Sequence, residues 1–183
     1  MSKLRLFFGI PIEEDKKNKI FEYLKKHNVF KRDYKWVPKE NYHITLKFLG
    51  EVEEKLVKDL DKIGEEISLL FNSFVVHTNG FSGFPNKKKA RVFFLDLKEK
   101  REIAKVFEVL ENKVSKLNFK REDREYHPHI TLARLRHPES IPELEPLEIE
   151  LNIDRFSLYQ SILKKEGSLY KILNIYFFNK KVF

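Results

Sequence analysis

Tyr126-His127-Pro128-His129-Ile130-Thr131-Leu132-Ala133-Arg134 contains a tetrapeptide, His-Ile-Thr-Leu, that also stands at His43-Ile44-Thr45-Leu46. The chain has only three threonines, Thr45, Thr78 and Thr131, and two of them follow a histidine by two places inside this repeat. Strand side chains alternate between faces, so histidine and threonine point one way while isoleucine and leucine point the other. One face of each motif strand is apolar, and the other carries chemistry.

The copies lie 86 residues apart, and the same offset superimposes more of the chain. Arg5-Leu6-Phe7-Phe8 falls on Arg91-Val92-Phe93-Phe94, and Ile20-Phe21-Glu22 with Leu24 falls on Val106-Phe107-Glu108 with Leu110, without a gap. Each half therefore reads strand, helix, His-x-Thr strand. This pattern predicts one bilobal domain over residues 1–183, with an internal repeat of about 1–86 and 87–183 related by a pseudo-twofold axis. Such an axis sets the two His-Thr faces opposite one another across a cleft.

Outward from the motifs, the expected elements are a strand over Leu4 to Ile10 and a helix opened by Pro11 and Glu13-Glu14-Asp15, running to about His27. A short strand follows at Tyr34 to Val37, then the first motif strand from Tyr42 to Leu49, stopped by Gly50. Leu56, Leu60, Ile63, Ile67 and Leu70 recur at helical spacing and predict a helix over Glu53 to about Phe71. A strand over Ser73 to Phe81 and a loop between Gly80 and Lys89 close the first half. In the second half, Ile103, Phe107, Leu110, Val114 and Leu117 form a helical stripe, and a charged connection, Lys120 to Glu125, leads into the second motif. Glu148 to Tyr159 and Ser168 to Phe178 read as two further strands with Gly167 in the turn. The fold class is α+β, with two antiparallel-rich sheets and outer helices around a central cleft.

A chain of 183 residues with 42% hydrophobic content is long enough for one buried core. Its net charge of +8 and pI near 9.4 favour an anionic partner, either nucleic acid or a phosphorylated metabolite. The absence of cysteine removes disulfides and thiolate chemistry and agrees with an intracellular setting. The first apolar run, Leu4 to Ile12, is broken by Arg5 and Pro11 and followed at once by acids, unlike a signal peptide. No run approaches membrane-spanning length. The expectation is a soluble, cytoplasmic protein, a monomer without a membrane partner.

Two histidines on opposite walls of a basic cleft suit proton transfer at phosphorus, one taking a proton from the attacking oxygen and one giving a proton to the leaving oxygen. His43 and His129 are the candidate pair, and the hydroxyls of Thr45 and Thr131 would clamp the phosphate by donating to its non-bridging oxygens. Such a site requires no metal and no cofactor. His127 shares a strand face with His129, but a metal site needs three or four convergent ligands and no other His/Asp cluster has that spacing. Lys47 lies in phase with His43 and is a phosphate-contact candidate; Arg134 is a candidate too, although out of phase unless the strand end twists. Arg5 and Arg91 head equivalent strands and either border the cleft or cap an apolar strand. Lys87 to Lys89 form either an RNA-tracking run or a solvated loop, Phe48 and Tyr126 are candidate base-stacking rings, and His27, His77 and His137 read as solvated.

The paired motifs resemble those of the 2H phosphoesterase superfamily. Trp36-Val37-Pro38, Asn41-Tyr42-His43-Ile44-Thr45-Leu46-Lys47-Phe48-Leu49-Gly50, His127 through Arg134, and Leu158-Tyr159-Gln160-Ser161 with Gly167 and Tyr170 resemble its LigT branch of RNA 2′,3′-cyclic phosphodiesterases, historically called 2′-5′ RNA ligases. The likeness covers almost the whole chain, and no motif position departs from it. It implies a bilobal fold and hydrolysis of a terminal 2′,3′-cyclic phosphate on RNA to a 2′-phosphomonoester. His129 would be the proton acceptor and His43 the proton donor, with Thr45 and Thr131 on the phosphate; exchanging base and acid leaves the residue list unchanged. Two further readings stand beside it: a phosphodiesterase for another small cyclic or 2′-5′ nucleotide, and a non-catalytic RNA-binding module.

Overall fold

Along the first strand, Leu6, Phe8 and Ile10 are fully buried on one face while Arg5, Phe7 and Gly9 occupy the other, the alternation expected of a strand with two occupied faces. The computed structural model describes residues 2–180. In chain order the strands are β1 (Lys3–Pro11), β2 (Tyr34–Trp36), β3 (His43–Glu53), β4 (Phe74–Phe84), β5 (Ala90–Leu97), β6 (His129–Glu139), β7 (Glu150–Ile153), β8 (Arg155–Lys164) and β9 (Gly167–Phe177). The helices are α1 (Glu14–Lys26), α2 (Val57–Ser68) and α3 (Arg101–Ser115).

All pairings between these strands are antiparallel, in the order β7-β4-β5-β6-β3-β1-β8-β9, with β2 also pairing with β6. Among the described residues, the two halves of this sheet meet at a single cross-strand pair, Ile44↔Ile130. These are equivalent residues of the two motifs, and antiparallel pairing of a residue with its own equivalent is what a local twofold axis requires. Each lobe nevertheless draws on both halves of the sequence. One lobe joins β3 and β1 to the C-terminal β8-β9 hairpin, whereas the other joins β6 and β5 to β4 and β7.

The helices are exchanged in the same manner. Tyr23 of α1 stacks on Phe81 of β4, ring centroids 5.5 Å apart, so the first helix covers the lobe built on the second motif. The helix α2 packs on β8 and β9 through Leu60, Ile63 and Ile67, and α3 buries Ile103, Val106, Leu110 and Val114. Gly64 permits the close approach of α2: a Cβ there would lie 2.4 Å from the ring of Tyr176, whose hydroxyl is held by Asp61.

Several expected boundaries moved, each for a tertiary reason. The strand β3 continues through Gly50 to Glu53, because Gly50 at φ +72° absorbs a register shift against β1 and does not end the strand. The predicted strand Glu148 to Tyr159 is two strands in different lobes: β7 pairs with β4 and β8 pairs with β1 and β9, the chain crossing between lobes at Asp154. The ungapped repeat also slips by one residue. Pro11 pairs with His43 whereas Asp96 pairs with His129, so β1 and β5 correspond at an offset of 85 while the motif strands correspond at 86.

Both motif strands are bulged at equivalent leucines. Against β1, Thr45 pairs with Gly9 and Lys47 with Phe8, leaving Leu46 unpaired; against β5, Thr131 pairs with Phe94 and Ala133 with Phe93, leaving Leu132 unpaired. A bulge reverses the phase of all that follows it. Lys47, expected beside His43, is thereby brought into register with the core residue Phe8. Its ammonium donates to Glu111 of α3 at 2.8 Å and to the Lys120 carbonyl at 2.7 Å, with both partners of the ion pair buried. The other carboxylate oxygen of Glu111 has no hydrogen-bond partner among the described residues.

Two substitutions test this packing. Gly64→Ala is expected to destabilise the protein by about 1–3 kcal/mol through overpacking against Tyr176, opposite in sign to the gain for an exposed helical glycine; a denaturant midpoint at or above wild type would contradict this. Lys47→Met leaves Glu111 buried without its cation and is expected to cost about 3–5 kcal/mol, most of it recovered in Lys47→Met/Glu111→Leu. If instead Lys47→Met raises KM while leaving the unfolding midpoint in place, the lysine serves substrate rather than the fold.

Candidate active site

The pairing of Ile44 with Ile130 sets His43 opposite Thr131 and Thr45 opposite His129 in the antiparallel register. The four side chains line one cleft of about 640 Å³, the size of a site for a small ligand or a nucleotide. The hydrogen bonds on its two walls match. Nδ1 of His43 donates to the carbonyl of Asn41 at 2.7 Å, and Nδ1 of His129 donates to the carbonyl of His127 at 2.6 Å. Asn41 and His127 are themselves equivalent, each two residues before its histidine. A carbonyl can only accept, so Nδ1 carries the proton and the Nε2 lone pair of the neutral ring is presented to the cleft. Each Nε2 accepts from its threonine hydroxyl, at 2.8 Å from Thr45 and 3.1 Å from Thr131.

Aromatic rings surround the histidines. Phe7 lies 5.0 Å from the His43 ring, and Tyr170 meets it edge-on at 5.3 Å; Phe84 meets His129 edge-on at 5.0 Å, with Phe94 at 4.8 Å. This apolar packing disfavours the imidazolium. Burial pulls His43 down to about 4, the Asn41 carbonyl opposing it, and burial likewise lowers His129, opposed by the His127 carbonyl and the charge of Asp96. Both rings are therefore neutral bases in the free protein near neutral pH.

The walls differ in the charge placed next to each histidine. Beside His129, Asp96 accepts from Lys100 at 2.8 Å and lies 3.0 Å from Nε2 of His127. The corresponding positions beside His43 are Pro11 and Asn41, which carry no charge.

The other candidates fall variously. Arg134 lines the cleft, because the Leu132 bulge reverses the phase that had set it on the opposite face. Phe48 occupies the equivalent position after the Leu46 bulge; it too lines the cleft and is 55% exposed, open to a flat ligand. Only the stem of Lys47 borders the cleft, its ammonium being held as described above. Tyr126 stacks on Phe107 at 4.1 Å and donates its hydroxyl to the Thr45 carbonyl, bracing the first motif strand. Arg5 shares a β1 face with Phe7, but Arg5 and Arg91 are both exposed and neither is among the residues lining the cleft. His77 bridges Glu99 and Glu150 rather than standing in solvent alone. Two lining aromatics had little sequence signal: Phe84 ends β4 where a loop was expected, and Tyr170 is 127 residues from His43, marked only by its place in the C-terminal signature.

Comparison with known proteins places the chain in a family. A family model described as LigT like phosphoesterase matches residues 10–94 and again 95–170, one match for each motif. A Thermotoga maritima protein named RNA 2′,3′-cyclic phosphodiesterase is 33% identical over 93% of this chain and 93% of its own. A crystal structure from Thermus thermophilus superimposes with a TM-score of 0.84 at 29% identity, covering 98% of this chain and all of the other. Escherichia coli LigT crystallised with 3′-AMP shares the fold, with a TM-score of 0.83 at 24% identity over 97% of this chain and 99% of the other. With two matched repeats, a relative at this identity across nearly its full length, and one His-x-Thr pair on each wall of the cleft, the chain belongs to the LigT-like phosphoesterase family.

Proposed function

We propose that the protein hydrolyses the 2′,3′-cyclic phosphate at the 3′ end of RNA to a 2′-phosphomonoester, by general acid–base catalysis from two histidines without a metal. The observation that carries this reading is the matched pair of walls: two Nε2 atoms of fixed tautomer and two hydroxyls converge on one cleft, joined by the Ile44↔Ile130 pair. The activity named for the T. maritima relative supports it.

In this scheme the cyclic phosphate enters between the walls, and the hydroxyls of Thr45 and Thr131 turn from the histidines to its non-bridging oxygens. Nε2 of His129 takes a proton from water as the water oxygen bonds to phosphorus. The P–O3′ bond breaks, and Nε2 of His43 delivers a proton to O3′. The carbonyls of Asn41 and His127 hold each ring in position and stabilise its cation whenever Nε2 is protonated. Asp96, near His129 alone, favours the imidazolium that forms there, in keeping with His129 as acceptor. With a 5′-hydroxyl in place of water and the cyclic ester as acceptor, the same groups join two strands through a 2′-5′ linkage, the strained ring supplying the free energy.

The free protein holds both rings neutral, so His43 acquires its proton as the phosphate anion arrives and raises its affinity for a proton. The sign of the pH dependence follows. Both histidine values lie below the ordinary 6.5 in the free protein, so kcat/KM, which reports that state, is expected to be optimal below pH 6.5 and to fall through neutrality. The kcat profile, which reports the complex, should lie to higher pH; coincident profiles centred above 6.5 would contradict the assignment.

The direct test uses an RNA oligonucleotide ending in a 2′,3′-cyclic phosphate, with EDTA present. A 2′-phosphate is the expected product. His43→Ala and His129→Ala should each lose about 10²–10⁴ in rate while remaining folded. Near-wild-type turnover by either variant, or a 3′-phosphate product, would refute the mechanism.

A further inference from the structure

The proposed chemistry uses the centre of the cleft, and the two ends of the cleft are unlike. The strands β3 and β6 run antiparallel past the Ile44↔Ile130 pair, so the residues that follow each motif lie at opposite ends. Arg134, beyond Thr131, stands at the His43 end, and Phe48, beyond Thr45, stands at the His129 end. The Arg134 end is cationic. Lys35 of β2 is the cross-strand partner of Arg134, and neither reaches a carboxylate among the described residues, whereas at the next pair outward Arg136 donates to Asp33 at 3.0 Å. Like charges directly opposed destabilise a sheet, so this end favours an anion. The Phe48 end is aromatic and acidic. Phe48 is paired across the strands with the fully buried Phe7, ring centroids 5.5 Å apart, so its ring is braced on one side while the residue stays 55% exposed in the cleft. Glu122 and Glu125 line this end on a loop that Lys47 and Tyr126 fasten to β3, and Arg124 between them is drawn to Glu122 at 3.4 Å.

A braced ring left open beside carboxylates suits an uncharged flat group and not a phosphate. The roles of the two histidines say whose group it is. His43 serves the leaving O3′, so the terminal ribose of the substrate extends toward the Arg134 end, and whatever carries the attacking oxygen extends from His129 toward Phe48. Water needs no such platform. A 5′-hydroxyl comes with one flat base, on the nucleoside of an RNA chain that has no phosphate on its 5′ side. We propose that Phe48 stacks the 5′-terminal base of an acceptor strand, forming an acceptor subsite that aims the 5′-hydroxyl at the phosphorus and sets the division between joining and hydrolysis. The acceptor O5′ bonds to phosphorus and gives its proton to Nε2 of His129, while the P–O3′ bond breaks and O3′ takes a proton from Nε2 of His43, so no co-reactant is consumed. The inference rests on the cyclic-phosphodiesterase reading of the site.

The test supplies a 5′-phosphorylated RNA ending in a 2′,3′-cyclic phosphate, which cannot join to itself, together with a 5′-hydroxyl oligonucleotide below saturation, and reads the ratio of 2′-5′-joined to hydrolysed product. Phe48→Ala is expected to lower that ratio about tenfold or more, the usual worth of one stacked base, and Phe48→Trp to retain it. An acceptor whose 5′-terminal residue is abasic should lower the wild-type ratio by a similar factor and leave the Phe48→Ala ratio unchanged, a non-additivity that reports the contact itself. Because both products come from one donor and one enzyme sample, partial misfolding cancels from the ratio. No joined product from wild type, an unchanged ratio in Phe48→Ala, or equal losses on the abasic acceptor in both proteins would overturn the acceptor subsite while leaving the cyclic-phosphodiesterase reading intact. Failure to form either product would instead overturn that reading, and the subsite with it.

Discussion

The site depends on one cross-strand pair. Ile44 and Ile130 are equivalent residues of a duplicated motif, and among the described residues their antiparallel pairing is the sole point at which the two motif strands bond to each other. Because a residue is paired with its own equivalent, the histidine, the threonine hydroxyl and the carbonyl that receives Nδ1–H each appear twice, once on each wall. The second histidine, the second hydroxyl and the second ring-positioning carbonyl come from repetition and not from separately evolved parts. The pair is fully buried, and its neighbours Leu46, Leu132 and Ala133 are likewise in the core. A one-residue slip here would turn both histidines into the apolar interior.

The bulges then break the symmetry between what is structural and what faces the ligand. After Leu46 and Leu132 the strands reverse phase, sending Phe48 and Arg134 to the cleft and Lys47 to the core face. Lys47 and Glu111 form a buried ion pair tying β3 to α3, and Glu111 also accepts from the backbone N–H of Glu122 in the loop beside the cleft. Such a pair contributes little net stability against its desolvation, but its loss by one partner is costly. Its use here is geometric: it fixes the helix, the loop and the bulged strand relative to one another.

Burial supplies the electrostatics. Aromatic rings packed against both histidines keep them neutral in the empty site, so each presents a lone pair rather than a charge. Under the proposed mechanism, an anion entering between them would reverse that preference for whichever ring must donate. In the proposed mechanism the ligand's own charge protonates the acid, while backbone carbonyls whose positions the strands fix hold both rings in one tautomer. The Asp96-His127-Lys100 group on one wall, with Pro11 and Asn41 opposite, gives otherwise matched histidines different surroundings.

The duplication, the pair of His-x-Thr faces, the α+β class and the amphipathic helices are all legible in the residues alone, because each is written in local periodicity or in literal repetition. Strand alternation placed His43 with Thr45 and His129 with Thr131 correctly, since no irregularity falls within either tetrapeptide before its leucine. Beyond the tetrapeptides, non-local contacts take over. The phases of Lys47, Phe48 and Arg134 depend on bulges that no glycine or proline marks, because the extra residue is set by pairing with β1 and β5 and not by local propensity. The division of the predicted Glu148 to Tyr159 strand at Asp154, the exchange of α1 and of the β8-β9 hairpin between lobes, and the arrival of Tyr170 beside His43 are likewise products of pairing between distant segments. They arise because each half-sheet can cover its apolar face only with elements from the other half, and that packing leaves no periodic trace in the residues that make it.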